Sequence, residues 1–494
     1  MGRPRMIGIG AIVVAMIVAL GLAVPRSAEG RGLALAPGTW QSGIKIQNLG
    51  SGEANVVVAF IDAAGDEAGA WSPPDLIPVG GSVEVFLPNL SDSQLPQGQY
   101  SIIVYSDTTL GLVLTTTNYE YNMADSYNSH EPATQVNVPY VYRDHNDWNT
   151  EVFVQNTGDT TKTVYIDFAP SGLGSAYSTS VSVPASATRS FDVTGYSAMG
   201  DFIGTAVVTS EVPITVVANQ TRLSGSPSNI RVLTQLRGLT DADAANHLVV
   251  PSLYKNFATG RMWRSGIQVQ NQSTTTDATD VTIILTGDDD SPGGATQVYT
   301  KTLGTIGPLS AQEFYLPLGQ LDDMTYLPDG FKGSATVESA GASVVAGVLH
   351  TAYDACAGGY CGVANSYVAP AFGTSHLSAP SLYSTFGGNQ WNSGLKFQNI
   401  SATDSCTCDI SFRSDPDSPS GYPWTGTKTG ISLDPGEAIE FYLPMGLLDG
   451  AASMPGNFKG SATVECTGAG TIAGTILHTS YNRGAATIYN AVNY

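Results

Sequence analysis

One nine-residue pattern occurs four times and constrains this chain more than any other feature. It reads WQSGIKIQN from Trp40, WNTEVFVQN from Trp148, WRSGIQVQN from Trp263 and WNSGLKFQN from Trp391. Self-similarity at a long period marks a repeat architecture, with one structural unit per copy. Strict alternation puts the Trp, the Ser or Thr and two aliphatic residues on one face. That predicts a half-buried strand, packed on one side and solvated on the other. The Gln-Asn end opens a turn.

Further blocks recur in register with the first. FLPN at Phe86, YLPLGQLDD at Tyr315 and YLPMGLLDG at Tyr442 form one set. LPQGQYSIIVYS from Leu95, MGDFIGTAVVTS from Met199, LPDGFKGSATVES from Leu327 and MPGNFKGSATVEC from Met454 form another, each a Gly-bearing turn leading into a strand. LGLVLTTTNY, ITVVANQTR, VVAGVLHTAY and TIAGTILHTSY follow them. VVVAFIDAAG, KTVYIDFAPSG, VTIILTGDDD and CDISFRSDPD lie between the first and third sets. Repeats 2 to 4 open with a shared lead strand, VPYVYRD, VPSLYKN or APSLYST. Repeat 1 lacks it, or replaces it with a short piece at Leu33 to Ala36. Seven or eight short strands in roughly 100 residues predict an antiparallel β-sandwich of immunoglobulin type. The expected division is a signal peptide or anchor helix at 1–28 and sandwiches at 32–130, 131–245, 246–374 and 375–494. Joined by short linkers, these predict an elongated rod.

Composition narrows the setting. Of 494 residues only 13% are charged, against about 25% in an average soluble domain. With 21 basic and 42 acidic residues the net charge is −21, which argues against nucleic acid, whose phosphates need a basic surface. Arg3 and Arg5 precede an uncharged run from Met6 to Val24, then small residues to Ala28. This is the pattern of a secretory signal. The run is also long enough to span a bilayer, so an uncleaved anchor is the alternative.

Taken together, the W-x-S-x-I-x-V-Q-N strand, the LPxGFxGSAxV strand and the P-x-LY lead strand resemble repeats of uncharacterised secreted or surface proteins of bacteria. The resemblance covers nearly all of the chain after the signal. It implies an extracellular, immunoglobulin-like repeat protein and brings neither an assigned activity nor catalytic residues.

Candidate functional residues are few. Trp40, Trp148, Trp263 and Trp391 stand in phase with aliphatics, which points to packing within or between units more than to a sugar platform. Trp71 and Trp424 lie in Pro-rich loops and are the candidate ligand contacts. Acidic turns after the central strand (Asp288, Asp289 and Asp290; Asp415 and Asp417) could offer oxygens to calcium, the one cofactor considered. His350 and His478 share one place in repeats 3 and 4, where repeat 2 carries Asn219, and so read as structural hydrogen-bonding residues. No zinc spacing or nucleophile elbow occurs. Cys356 and Cys361 bracket a small loop that a disulfide could close. Cys466 should bridge to Cys406 or Cys408, leaving one odd thiol.

The expected protein is a non-enzymatic, secreted structural or adhesive component of the cell surface or matrix, able to form fibres by strand addition. Its partners would be surface or matrix components or further copies of itself, with the membrane touched only through an uncleaved N-terminus. A carbohydrate- or ligand-binding module is the alternative, and a hydrolase with a site at a domain junction is the third reading.

Overall fold

A computed structural model of the chain describes residues 12–18, 39–224, 229–258, 262–294, 297–357, 360–480 and 482–494. These residues form strands joined by turns and short 3-10 segments, as period-two patterning requires. No helix among them is long and apolar enough to cross a membrane.

All strand pairing is antiparallel; repeats 1 and 4 each build two separate sheets, while in repeats 2 and 3 the two layers join into one continuous sheet. In the fourth, an outer sheet orders Thr425–Leu433, Cys406–Ser414, Phe458–Gly468 and His376–Ser384. An inner sheet orders Ala438–Tyr442, Trp391–Asn399, Ile472–Ser480 and Ala485–Asn490. Leu395, Phe397, Ile410, Phe412, Phe458 and Ile476 fill the space between them. The first repeat has the same two layers, with Ser82–Phe86, Gln41–Asn48, Leu110–Asn118 and Met123–Asn128 in its inner sheet.

The pairing departs from the immunoglobulin arrangement, in which strands C, F and G share a sheet. Here Phe458–Gly468 pairs with the central strand Cys406–Ser414. Its successor, Ile472–Ser480, pairs instead with the tryptophan strand in the opposite sheet. Repeat 2 shows the reason. There the two are one strand, Phe202–Leu223, which runs from the outer sheet into the inner one without reversing. Sharing a sheet would require a hairpin turn, and Ser210-Glu211-Val212-Pro213 produces only a register shift.

Ile12–Val18, inside the run read as signal or anchor, is a strand. It pairs antiparallel with Tyr100–Ser106, from Ile12 opposite Ser106 to Val18 opposite Tyr100. Ala133–Arg143, His247–Phe257 and His376–Ser384 hold that place in the other repeats. The lead position that repeat 1 was read as lacking is filled from its own N-terminal segment. The expected cleavage point at Ala28 and the substitute at Leu33 to Ala36 lie outside the described residues.

The repeats do not extend into a rod. Their last strands, Met123–Asn128, Arg231–Arg237, Tyr360–Val368 and Ala485–Asn490, pack in a closed circuit: first on second, second on third, third on fourth, fourth on first. The tryptophan strands explain why. Alternation predicted one solvated face, but these strands are buried on both. The fifth and seventh positions face the repeat's own core. The sixth position reaches the preceding repeat every time. Phe153 enters the core of repeat 1. Gln268 donates its amide N–H to the Gly204 carbonyl of repeat 2 at 3.2 Å. Lys396 reaches Asp288 of repeat 3 at 2.6 Å, and Lys45 pairs with Asp415 of repeat 4. The last contact closes the ring.

Candidate functional site at the closing seam

The ring is pinned at its centre by one carboxylate. Asp125 Oδ2 accepts the backbone N–H of Gln235 at 2.7 Å and of Ser366 at 3.3 Å. Its Oδ1 accepts those of Ser126 at 2.8 Å and Ile488 at 3.4 Å. Strand pairing places these four N–H groups at one equivalent position of the four repeats. The other three repeats carry Thr234, Asn365 and Thr487 where the first has Asp125, so a single carboxyl group occupies the axis. Burial pushes the Asp125 carboxyl well above the ordinary range, and the four N–H groups pull against it.

Away from the axis, two seams share an ionic device. Lys332 of repeat 3 meets Glu440 of repeat 4 at 2.8 Å and its own Asp290 at 3.1 Å. Lys459 of repeat 4 meets Glu84 of repeat 1 at 2.7 Å and its own Asp417 at 2.7 Å. Burial opposes the charge on both lysines, but Glu440 and Glu84 outweigh it and hold the ammonium groups above their ordinary range. The seam between repeats 2 and 3 has Ile203 at the lysine's place.

The seam between repeats 4 and 1 carries two adjoining clefts. One, of about 280 Å³, has aromatic walls from Phe86, Tyr119, Tyr383, Phe386 and Trp391. The other, of about 320 Å³, is bordered by Trp71, Pro74, Leu76, Arg413 and Tyr422. Glu84 and Asp417 line both. Leu76, Val79 and Tyr422 are about half exposed, at 51%, 49% and 49%. Trp391 is half-buried here, whereas Trp40, Trp148 and Trp263 are only 3%, 5% and 6% exposed. Tyr254, Ala352, Val363 and Ala486 cover Trp263 at the seam between repeats 3 and 4.

The sequence-derived candidates distribute as follows. Trp40, Trp148 and Trp263 are seam packing residues: Trp40 meets Leu233 of repeat 2, and Trp148 donates its indole N–H to the Tyr353 hydroxyl at 3.1 Å. Trp71 borders a cleft, half-buried. Trp424 instead packs edge-on against Phe458, at 5.3 Å between ring centres, and belongs to the repeat's core. The acidic turns are lysine partners: Asp288, Asp290, Asp415 and Asp417 all engage ammonium groups, and Asp289 is exposed. Among the described residues the one cluster of three metal-ligating side chains is Cys406, Cys408 and Cys466. Of these, Cys408 and Cys466 form a disulfide and Cys406 is a buried free thiol, 3.8 Å from Cys408. Cys356 and Cys361 stand opposite each other in a hairpin, and Cys361 is disulfide-bonded.

Nδ1 of His350 and of His478 shares a hydrogen bond with the hydroxyl of Ser265 or Ser393, at 2.7 and 2.8 Å. Those serine oxygens also accept the backbone N–H of Tyr254 and Tyr383. The pairs resemble a nucleophile and its base, but both serines are fully buried. Burial, and then Lys396 or Lys45, pushes each imidazole down to about 3. Strand pairing shows that Gln220, not Asn219, holds the equivalent place in repeat 2.

Sequence reasoning missed Asp125 and the lysines. The available signals were the recurrence of Lys at the sixth motif position in repeats 1 and 4 and in the FKGSATVE block of repeats 3 and 4.

No family model matches the chain, and no curated protein matches it. Among solved structures it is similar to a crystal structure of Thermotoga maritima 1070, at 16% identity and a TM-score of 0.20. That match covers 22% of this chain and 96% of the other, and no argument rests on it.

Proposed function

We propose that this chain is a non-enzymatic extracellular protein that works by contact, as an adhesive or structural component of a cell surface or matrix. Its four repeats serve as one compact platform, not as spacers. The observation that carries this reading is the concentration of half-exposed apolar side chains (Leu76, Val79 and Tyr422, with Trp71 beside them) at one seam. Contiguous apolar surface on a soluble chain marks an interaction site. The two serine–histidine pairs, Ser265 with His350 and Ser393 with His478, are buried, which suits a packing role. The resemblance to secreted or surface repeats suggests the location.

Fractionation of a bacterial host expressing the full chain tests the location. Most of the protein should be recovered from the medium or the cell surface. The recovered form should bind cell-wall or matrix material without degrading it, and Trp71→Ala with Tyr422→Ala should weaken retention about tenfold. A cytosolic protein, or one that turns over what it binds, contradicts the reading.

A further inference from the structure

We infer that the two clefts at the seam between repeats 4 and 1 form one groove for a short neutral oligosaccharide. This rests on the contact function proposed above and names the chemistry of what is held.

Aromatic faces supply the first half of the argument. Phe86, Tyr119, Tyr383, Phe386 and Trp391 surround one cleft, and Trp71 with Tyr422 borders the other. Sugar rings present flat C–H faces, and half-exposed aromatic side chains bury them while leaving their hydroxyls free. One cleft of about 280 Å³ is at the small end of ligand pockets, suited to one sugar residue; two such clefts in series suit two or three.

Polar groups between the clefts supply the second half. Glu84 and Asp417 line both, so a ligand spanning the groove crosses the Glu84–Lys459–Asp417 group. Its carboxylate oxygens accept hydrogen bonds and its ammonium donates them, which matches vicinal hydroxyls. Two carboxylates against one lysine disfavour an anionic sugar or phosphate. The position a cationic ligand would seek is taken, because Lys459 Nζ already stands 5.9 Å from the centre of the Phe386 ring. Beneath the aromatic cleft, Thr117 Oγ1 and His478 Nε2 are buried without a hydrogen-bond partner. Such atoms are costly unless a water or ligand reaches them.

Repetition separates binding from scaffolding here. The seam between repeats 3 and 4 has the same lysine, glutamate and aspartate, and Lys332 stands 5.7 Å from the centre of the Phe257 ring. Its tryptophan, however, is covered. Among the described residues, only the closing seam combines the ionic group with a partly exposed motif indole and the Pro-rich loop of Trp71.

The test is binding of the full chain to immobilised neutral gluco-, manno-, xylo- and N-acetylglucosamine oligomers of two to six residues. Galacturonate oligomers and choline serve as charged probes. At least one neutral oligomer should bind. Trp391→Ala and Trp71→Ala should each weaken it at least tenfold, Trp391→Phe should recover part of the loss, and Tyr165→Ala, at an exposed tyrosine of repeat 2, should have no effect. Thermal melts of each variant establish that the fold is intact. Failure of every neutral oligomer, preference for a charged probe, or indifference to both tryptophans overturns the groove. Retention on whole cell walls that survives both substitutions overturns the groove alone and leaves the contact function standing elsewhere on the ring.

Discussion

Two seams of the ring are built on one backbone plan and close in different ways. Between repeats 2 and 3 the contact is aromatic: Tyr140, Tyr142, Trp148, Leu349 and Val368 form a buried cluster, with Tyr353 packed against it. Arg222 lies over the Tyr353 ring at 4.5 Å. Between repeats 4 and 1 the contact is ionic, through the buried Lys45–Asp415 pair and the Lys459–Glu84 pair, and it leaves two clefts open. Apolar burial is non-directional and fills whatever space there is, at roughly 25 cal/mol per Å². Buried ion pairs fix geometry but recover little net stability after desolvation. The comparison teaches that a ring of equivalent units can seal one seam with apolar contacts and close another through ion pairs that leave clefts beside them.

The largest effect should come from the group all seams share. Asp125→Ala removes the acceptor of four N–H groups at once and should destabilise the protein by about 4 kcal/mol, roughly one per hydrogen bond lost. Denaturant unfolding measures it, and a loss below about 1 kcal/mol would show that the axis does not hold the ring. The next comparison sets the seams against each other. Trp148→Ala should cost about 4 kcal/mol, as for a large buried aromatic, while Trp391→Ala should cost about 2 kcal/mol because its indole is partly exposed. Equal losses would erase the distinction between the seams.

The smallest effect depends on pH. His350 and His478 have folded-state values near 3, below the ordinary 6.5 of the unfolded chain. A depressed histidine leaves the unfolded state holding more protons. Stability is therefore full above pH 6.5 and falls as pH drops toward 3. At pH 5 the loss should be about 2 kcal/mol per histidine. Replacing both with Gln, the residue repeat 2 uses as Gln220, should flatten that slope in unfolding curves measured from pH 7 to pH 4.

Strand positions were legible because alternation reports one buried face directly. Ring closure was not legible, because the second face carries no common chemistry: Lys45, Phe153, Gln268 and Lys396 make the same contact in different ways. The lysine partners of the acidic turns were not legible for a related reason. The partner of Asp415 lies 370 residues away, at Lys45, and a local cluster of carboxylates gives no hint of it. Asp125 was invisible because its counterparts are Thr234, Asn365 and Thr487. Trp71 and Trp424, both read as loop aromatics, are each partly buried against their own repeat's core, which a Pro-rich loop does not reveal. The cleft that Trp71 borders depends on Tyr422 from the far end of the chain.

Small-angle X-ray scattering of the purified full chain tests the central claim, that the four repeats close on themselves. A compact ring of this length should give a radius of gyration of about 23 Å. Asp125→Ala should raise it if closure is lost. A value roughly twice as large for the unaltered chain, the signature of four units strung end to end, would contradict the account.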